Sequence, residues 1–166
     1  MRDKGVRYRG SMAGIVMAIG AMNPVVVSCS ALEAGTEKQA VRTTAYTHSE
    51  RDHLKYGRKT ARGTTLRSGE VNSAAADWSV YPVGTKFKIT GVDRVYEIDD
   101  YGSALVGTET IDLYKPTRSL MNSWGVRHVD IEIVEEGCVE TSIKILKGRK
   151  GYWHCRAMLE RLLERA

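Results

Sequence analysis

Between Arg42 and Glu136 the chain breaks into short β-rich runs separated by glycine-containing turns, and this spacing restricts the fold more than any other feature. The runs are VRTTAYT (41–47), TKFKIT (85–90), RVYEID, TIDLY and RHVDIEIV (127–134). The last alternates Val129, Ile131 and Ile133 against Asp130 and Glu132, as a half-buried strand must when successive side chains point to opposite faces. Turns fall at 56–63, 67–70, 81–85 and 101–107. At least five strands at such short intervals predict a barrel or sandwich rather than a layered βαβ sheet.

Two stretches depart from that pattern. KPTRSLMNSWG (115–125) reads as a short helix crossing the barrel, with Pro116 in its first turn and Gly125 as its C-cap. After Gly137, VETSIKIL reads as a further strand, and YWHCRAMLERLLERA as an amphipathic helix with Cys155, Met158, Leu159, Leu162 and Leu163 on one face. That stripe is expected to pack on the barrel. The expected organisation is 1–29 export signal, 30–41 tether, 42–136 barrel and 137–166 C-terminal extension.

The chain has 166 residues, 42% of them hydrophobic, enough for one packed core. Of the net charge of +5, Arg2, Lys4, Arg7 and Arg9 against Asp3 hold +3 in the first ten residues. The rest is nearly balanced and interleaved, which excludes a nucleic-acid footprint. Neither GxGxxG nor GxxxxGK[ST] occurs, which counts against nucleotide chemistry.

The basic start, the apolar stretch from Met12 to Val27 and the small residues after it have the layout of an export signal. Pro24 interrupts the apolar run, against a membrane span. Two processing sites fit: Val26-Val27-Ser28-Cys29 resembles a lipobox, with Cys29 lipidated, and Ser28 and Ser30 suit ordinary cleavage before Ala31. With Cys29 lipidated, Cys138 and Cys155 remain, either as a pair that an oxidising compartment joins or as two separate half-buried thiols. Metal binding by Cys138, His154 and Cys155 lacks a suitable spacing.

Asp77, Asp99, Asp100 and Asp112 each fall at or beside a strand signal and next to small residues. Buried carboxylates need donors, a cation or a chemical task. Turn formation accounts for Asp77 and Asp99. It suits Asp112 less, because Ile111 and Leu113 share one strand face and send Asp112 to the other.

TTAYT (43–47), GRKTARGTTLRSG (57–69), AAADWSVYPVGTKFKI (74–89), DDYGSALVGTETIDLY (99–114) and WGVRHVDIEIV (124–134) together resemble the 3D domain, named for three aspartates. That family is similar to the catalytic domain of membrane-bound lytic transglycosylase A and to stationary-phase muralytic factors. The resemblance implies a mainly β fold, a six-stranded double-psi β-barrel that acts on peptidoglycan glycan strands. The family aspartates fall on Asp77, Asp100 and Asp112, with Asp112 at the position of the catalytic acid. Gly102, Ala104 and Gly107 match the small-residue loop beneath the sugar, with Tyr101 and Ser103 beside them. Two departures stand out: Val106 replaces the usual Lys, and one extra residue separates Gly107 from Asp112.

A lytic transglycosylase needs a single acid, because the C6 hydroxyl of N-acetylmuramic acid is the nucleophile, whereas ordinary glycosidases need two carboxyl groups. The resemblance therefore expects a protonated Asp112, its pKa raised by apolar surroundings and a neighbouring carboxylate, with Asp100 as that neighbour, acting by like-charge coupling or by stabilising oxocarbenium character, and Asp77 orienting a loop or one of the other two aspartates. The rivals are a non-catalytic glycan binder with Trp78, Tyr81, Tyr101 or Trp124 as platforms, and a metal hydrolase built on His48, Asp52 and His53. The second is disfavoured by the five-residue separation of the histidines. Their segment reads instead as a groove-edge loop, with Glu50 a candidate second acid. A monomer without cofactor or metal is expected, exported to the cell envelope and touching membrane through a lipid anchor alone.

Overall fold

The computed structural model describes residues 38–51 and 53–165. The export signal, Cys29, tether residues 30–37 and Asp52 lie outside the described residues. Six strands close into a barrel: β1 Lys38–Tyr46, β2 Val71–Ala75, β3 Lys86–Ile89, β4 Val92–Asp100, β5 Ile111–Tyr114 and β6 Arg127–Glu135, in the order β1-β5-β2-β4-β3-β6. The pairs β1–β5 and β2–β4 are parallel and the other four antiparallel. Closure leaves no unpaired sheet edge. β1 begins at Lys38, inside the segment read as tether.

The interior follows from alternation. Val41, Ala74, Phe87, Ile89, Tyr96, Ile98, Ile111, Leu113 and Ile131 are all buried in one cluster, with the Phe87 and Tyr96 rings stacked at 5.4 Å. The same alternation sends Thr44, Tyr46, Ala75, Asp112 and Tyr114 to the outer face, where Tyr46, Ala75 and Tyr114 join Leu66 and Leu105 in a second, smaller cluster.

The helix α1, Arg118–Trp124, is capped by the Thr117 side chain, which accepts from Leu120 N, and ends at Gly125 with φ 61°. Pro116 therefore precedes the cap rather than filling the first turn. The segment expected as a strand after Gly137 is instead α2, Val139–Lys147, with Glu140 in its first turn and Lys144 and Lys147 in its last. Its buried Ser142 and Leu146 lie about one helical turn apart, and Lys144, which a strand would put on the same face, is exposed. A Cβ on Gly137 would lie 2.2 Å from the Pro82 carbonyl oxygen, so the turn into α2 requires glycine.

α3, Trp153–Arg165, buries Cys155, Met158, Leu159 and Leu162 as its periodicity requires, against a core that includes Trp78, Val83 and Leu146. Leu163 is 50% exposed and does not belong to the stripe; it lies past the edge of the buried arc. Cys138 and Cys155 are unjoined thiols: Cys155 donates to the Tyr101 hydroxyl at 3.1 Å, while Cys138 sits beside Glu140 and Thr141. Among the described residues no helix is long and apolar enough to cross a membrane.

Candidate functional site

Strand register assembles the site. Thr44 on β1 lies opposite Asp112 on β5, Asp112 opposite Ala75 on β2, and Ala75 opposite Asp100 on β4. Two of the three expected aspartates thus stand in one row across adjacent strands, with an alanine between them. Two inter-strand spacings separate their backbones by roughly 10 Å. Asp100 reaches this row through a β-bulge: Ala74 pairs with Ile98 but Ala75 with Asp100, so Asp99 is passed over. Without the bulge Asp99 would stand opposite Ala75. Bulges re-aim side chains in this way, and here one makes two consecutive aspartates serve different surroundings.

Asp112 is half-buried and its Oδ1 accepts from Thr44 Oγ1 at 2.7 Å. Asp100 is 6% exposed. Its Oδ1 accepts from the amides of Ala61 and Tyr101, both at 2.9 Å, and its Oδ2 from the Tyr46 hydroxyl at 3.2 Å. Burial pushes the Asp100 carboxyl up to about 6, against the pull of those three hydrogen bonds. Tyr46 is driven well above the usual tyrosine range by its burial and then by Asp100, so it remains a proton donor.

Asp77 does not join the row. It is fully buried past the end of β2, where Oδ1 accepts from Ser79 N at 2.8 Å and Ser79 Oγ at 2.6 Å. Its Oδ2 accepts from Gly107 N and Arg161 Nη1, both at 2.7 Å. These contacts tie Asp77 to the small-residue loop through Gly107 and to α3 through Arg161. Gly107 has φ 81°, a left-handed conformation that glycine adopts without strain. In that loop Ser103 and Ala104 are exposed, Gly102 is half-buried, and Leu105 turns inward against Ala75 and its neighbours. Val106, in place of the family lysine, packs on the barrel core.

Tyr101 faces away from the loop. Its ring meets Trp78 edge-on at 5.0 Å, and its hydroxyl accepts from Arg149 at 3.0 Å and Cys155 at 3.1 Å. The other platform candidates are covered too. Trp78 is fully buried and donates Nε1 to the Asp100 carbonyl at 2.9 Å, Tyr81 is buried, and Trp124 is half-buried with Lys115 and Arg127 over its ring at 4.6 and 4.4 Å. In the loop after β1, His48 Nδ1 lies 2.9 Å from the Tyr114 hydroxyl, and Glu50 accepts from Thr47 N at 3.1 Å, so Glu50 closes its own turn. Among the described residues no three His, Cys, Asp or Glu side chains are grouped to hold a metal ion.

The sequence reading missed the cations. Arg62 pairs with Glu97, while Arg67 pairs with Glu97 and Asp99 at 2.9 Å each, and Ser73 Oγ donates to Asp99 at 2.7 Å. Asp99, read as a turn or strand-end residue, is a fully buried ion-pair partner. The signal was present in GRKTARGTTLRSG, whose arginines flank a turn that folds back over β4, with Arg62 N donating to the Asp99 carbonyl at 3.0 Å.

Residues 72–135 match the family model of the 3D domain. The match runs from β2 to the end of β6 and contains Asp77, Asp100 and Asp112; β1, which supplies Thr44 and Tyr46, and both C-terminal helices lie outside it. No curated protein matches the chain.

Proposed function

We propose that this chain, which carries a 3D domain, cleaves the β-1,4 bond between N-acetylmuramic acid and N-acetylglucosamine in peptidoglycan as a lytic transglycosylase. The observation that carries the reading is the row of Asp112 and Asp100 across Ala75, one carboxyl half-exposed and the other buried. A catalytic acid has to touch the substrate, and Asp112 is the accessible member. Asp100, its oxygens already held by Tyr46, Ala61 and Tyr101, acts from behind on the charge that develops in the row.

In this reading the Asp112 carboxyl gives its proton to the glycosidic oxygen as the C1–O bond breaks and C1 gains oxocarbenium character. The C6 hydroxyl oxygen of the same sugar then bonds to C1, and its proton returns to the Asp112 carboxylate. No water is consumed, and the product ends in a 1,6-anhydro ring. The two parallel strand pairings support a double-psi barrel, and the layout of residues 1–29 supports export to the cell envelope, anchored at Cys29 when the lipobox is used.

The test is mass spectrometry of material released from purified sacculi. Anhydro ends are expected from the wild type and none from Asp112→Asn. Reducing ends would replace transglycosylation by hydrolysis, and no release at all would leave a glycan binder.

A further inference from the structure

Leu54 (62%), Tyr56 (52%), Tyr152 (57%) and Trp153 (57%) are large side chains left mostly in solvent. They come from two segments distant in sequence, the short 3-10 turn Leu54–Tyr56 and the entry to α3. Two series of ring contacts connect them to the aspartate row. Tyr46, the donor to Asp100, has the His53 ring 5.6 Å away, and His53 has Tyr56 at 6.1 Å. Tyr101, the residue after Asp100, has the His154 ring at 5.5 Å, and His154 has Tyr152 and Trp153 at 5.7 Å each.

Lys55 holds its Nζ 4.7 Å over the Tyr56 ring, and its charge reaches Tyr152 and His154 of the other series. An exposed apolar cluster of this kind marks a binding surface. Among the described residues the other exposed large apolar side chains, Leu120, Val126, Val134 and Leu163, are all aliphatic, so the exposed aromatic rings there come from these two segments.

We propose, resting on the glycan reading above, that Tyr56, Tyr152 and Trp153 form a distal subsite that holds the polysaccharide strand where it runs beyond the Asp100–Asp112 row. A pyranose ring presents a face of C–H groups carrying slight positive charge, and an aromatic ring presents a negative face of matching size. Ring contacts join both segments to Tyr46 and Tyr101, the partners of Asp100, and the chemistry of the exposed rings makes the strand that crosses the row the occupant. Both segments lie outside residues 72–135, so the subsite is an addition to the matched domain.

Trp153 supplies its own reporter, because Trp78 is fully buried and Trp124 half-buried. Acrylamide quenching of the full chain is measured with peptide-free glycan strands, with a disaccharide from the same strands, and with anionic phospholipid vesicles. Strands are expected to shield the quenchable signal, which Trp153→Phe removes. In sedimentation with strands, Trp153→Ala is expected to lower the ratio of long-strand to disaccharide affinity about tenfold, and Trp153→Phe to restore most of it. An unchanged ratio in Trp153→Ala, or shielding by vesicles and not by strands, overturns the subsite. Shielding by strands in a wild-type protein that releases nothing from sacculi overturns the transglycosylase reading alone; anhydro products from a protein whose Trp153 stays unshielded overturn the subsite alone.

Discussion

Glu97 and Asp99 on one side, and their chain neighbour Asp100 on the other, are almost equally buried, at 6%, 0% and 6% exposure, yet β4 sends them into opposite surroundings. Glu97 and Asp99 are met by the guanidinium groups of Arg62 and Arg67. Asp100 meets neutral donors: a tyrosine hydroxyl and two backbone amides. Burial alone raises a carboxyl pKa and a facing cation opposes it. At Asp99 burial still raises the carboxyl, with Ser73 and Arg67 pulling it back, while at Asp100 burial outweighs three neutral donors and leaves the group at about 6. A carboxylate held by a cation and a carboxyl held by neutral donors alone therefore sit side by side, divided by one bulge.

Several changes would break or sharpen that contrast, and the largest effect is at the row itself. Asp112→Asn removes the proposed proton donor while keeping its shape, and the rate of anhydro-muropeptide release is expected to fall about a thousandfold. Circular dichroism should show the fold retained.

The next largest concerns Asp100, whose folded pKa of about 6 exceeds its ordinary 3.8. The stability associated with its proton is fully present below about pH 4 and is lost as pH rises through about 6, because the native state holds the proton more tightly than the unfolded chain. The loss by neutral pH is on the order of 3 kcal/mol. Asp100→Asn cannot ionise, so denaturant unfolding should show the variant gaining on the wild type by that order between about pH 4 and pH 7. A constant difference across the range would show that the folded protein does not raise this group above its unfolded value.

Arg67→Met tests the other half of the contrast. It leaves Asp99 buried and Glu97 with one cation, and is expected to cost about 2 kcal/mol at neutral pH, less than a fully buried pair would because the arginine is itself partly exposed. The cost should shrink in acid as the carboxylates take up protons. Last and smallest, Tyr46→Phe deletes one donor to Asp100 and should cost about 1 kcal/mol. Because that hydrogen bond lowers the Asp100 pKa, its removal should move the Asp100 midpoint upward in an NMR titration. A downward shift would mean the hydroxyl stabilises the neutral acid.

The alternation at Ile111, Asp112 and Leu113 was legible without a structure, because a strand has no other way to place these side chains. So was the buried arc of α3, apart from Leu163. β2 was not, since Val71–Ala75 offers asparagine, serine and two alanines where β-branched residues would announce a strand. Its small side chains are what the place between two aspartates needs. α2 was misread because Val139, Ile143 and Ile145 favour strands locally, while its packing against α3 selects the helix. The different partners of Asp99 and Asp100 were out of reach: they depend on the bulge and on a loop some 35 residues earlier that brings Arg67 to Asp99 and the Ala61 amide to Asp100.

The barrel's strand order also sets a timetable for folding. β3 and β4 are joined by a tight turn and can pair as soon as both are made, but β1 pairs with β5 and β6, so its ladders wait for residues 111–135. Closing such long loops before any contact rewards them is slow. The strand that carries Thr44 and Tyr46 is the first of the barrel to be synthesised and among the last to find its neighbours, and the row of acids is complete once it does.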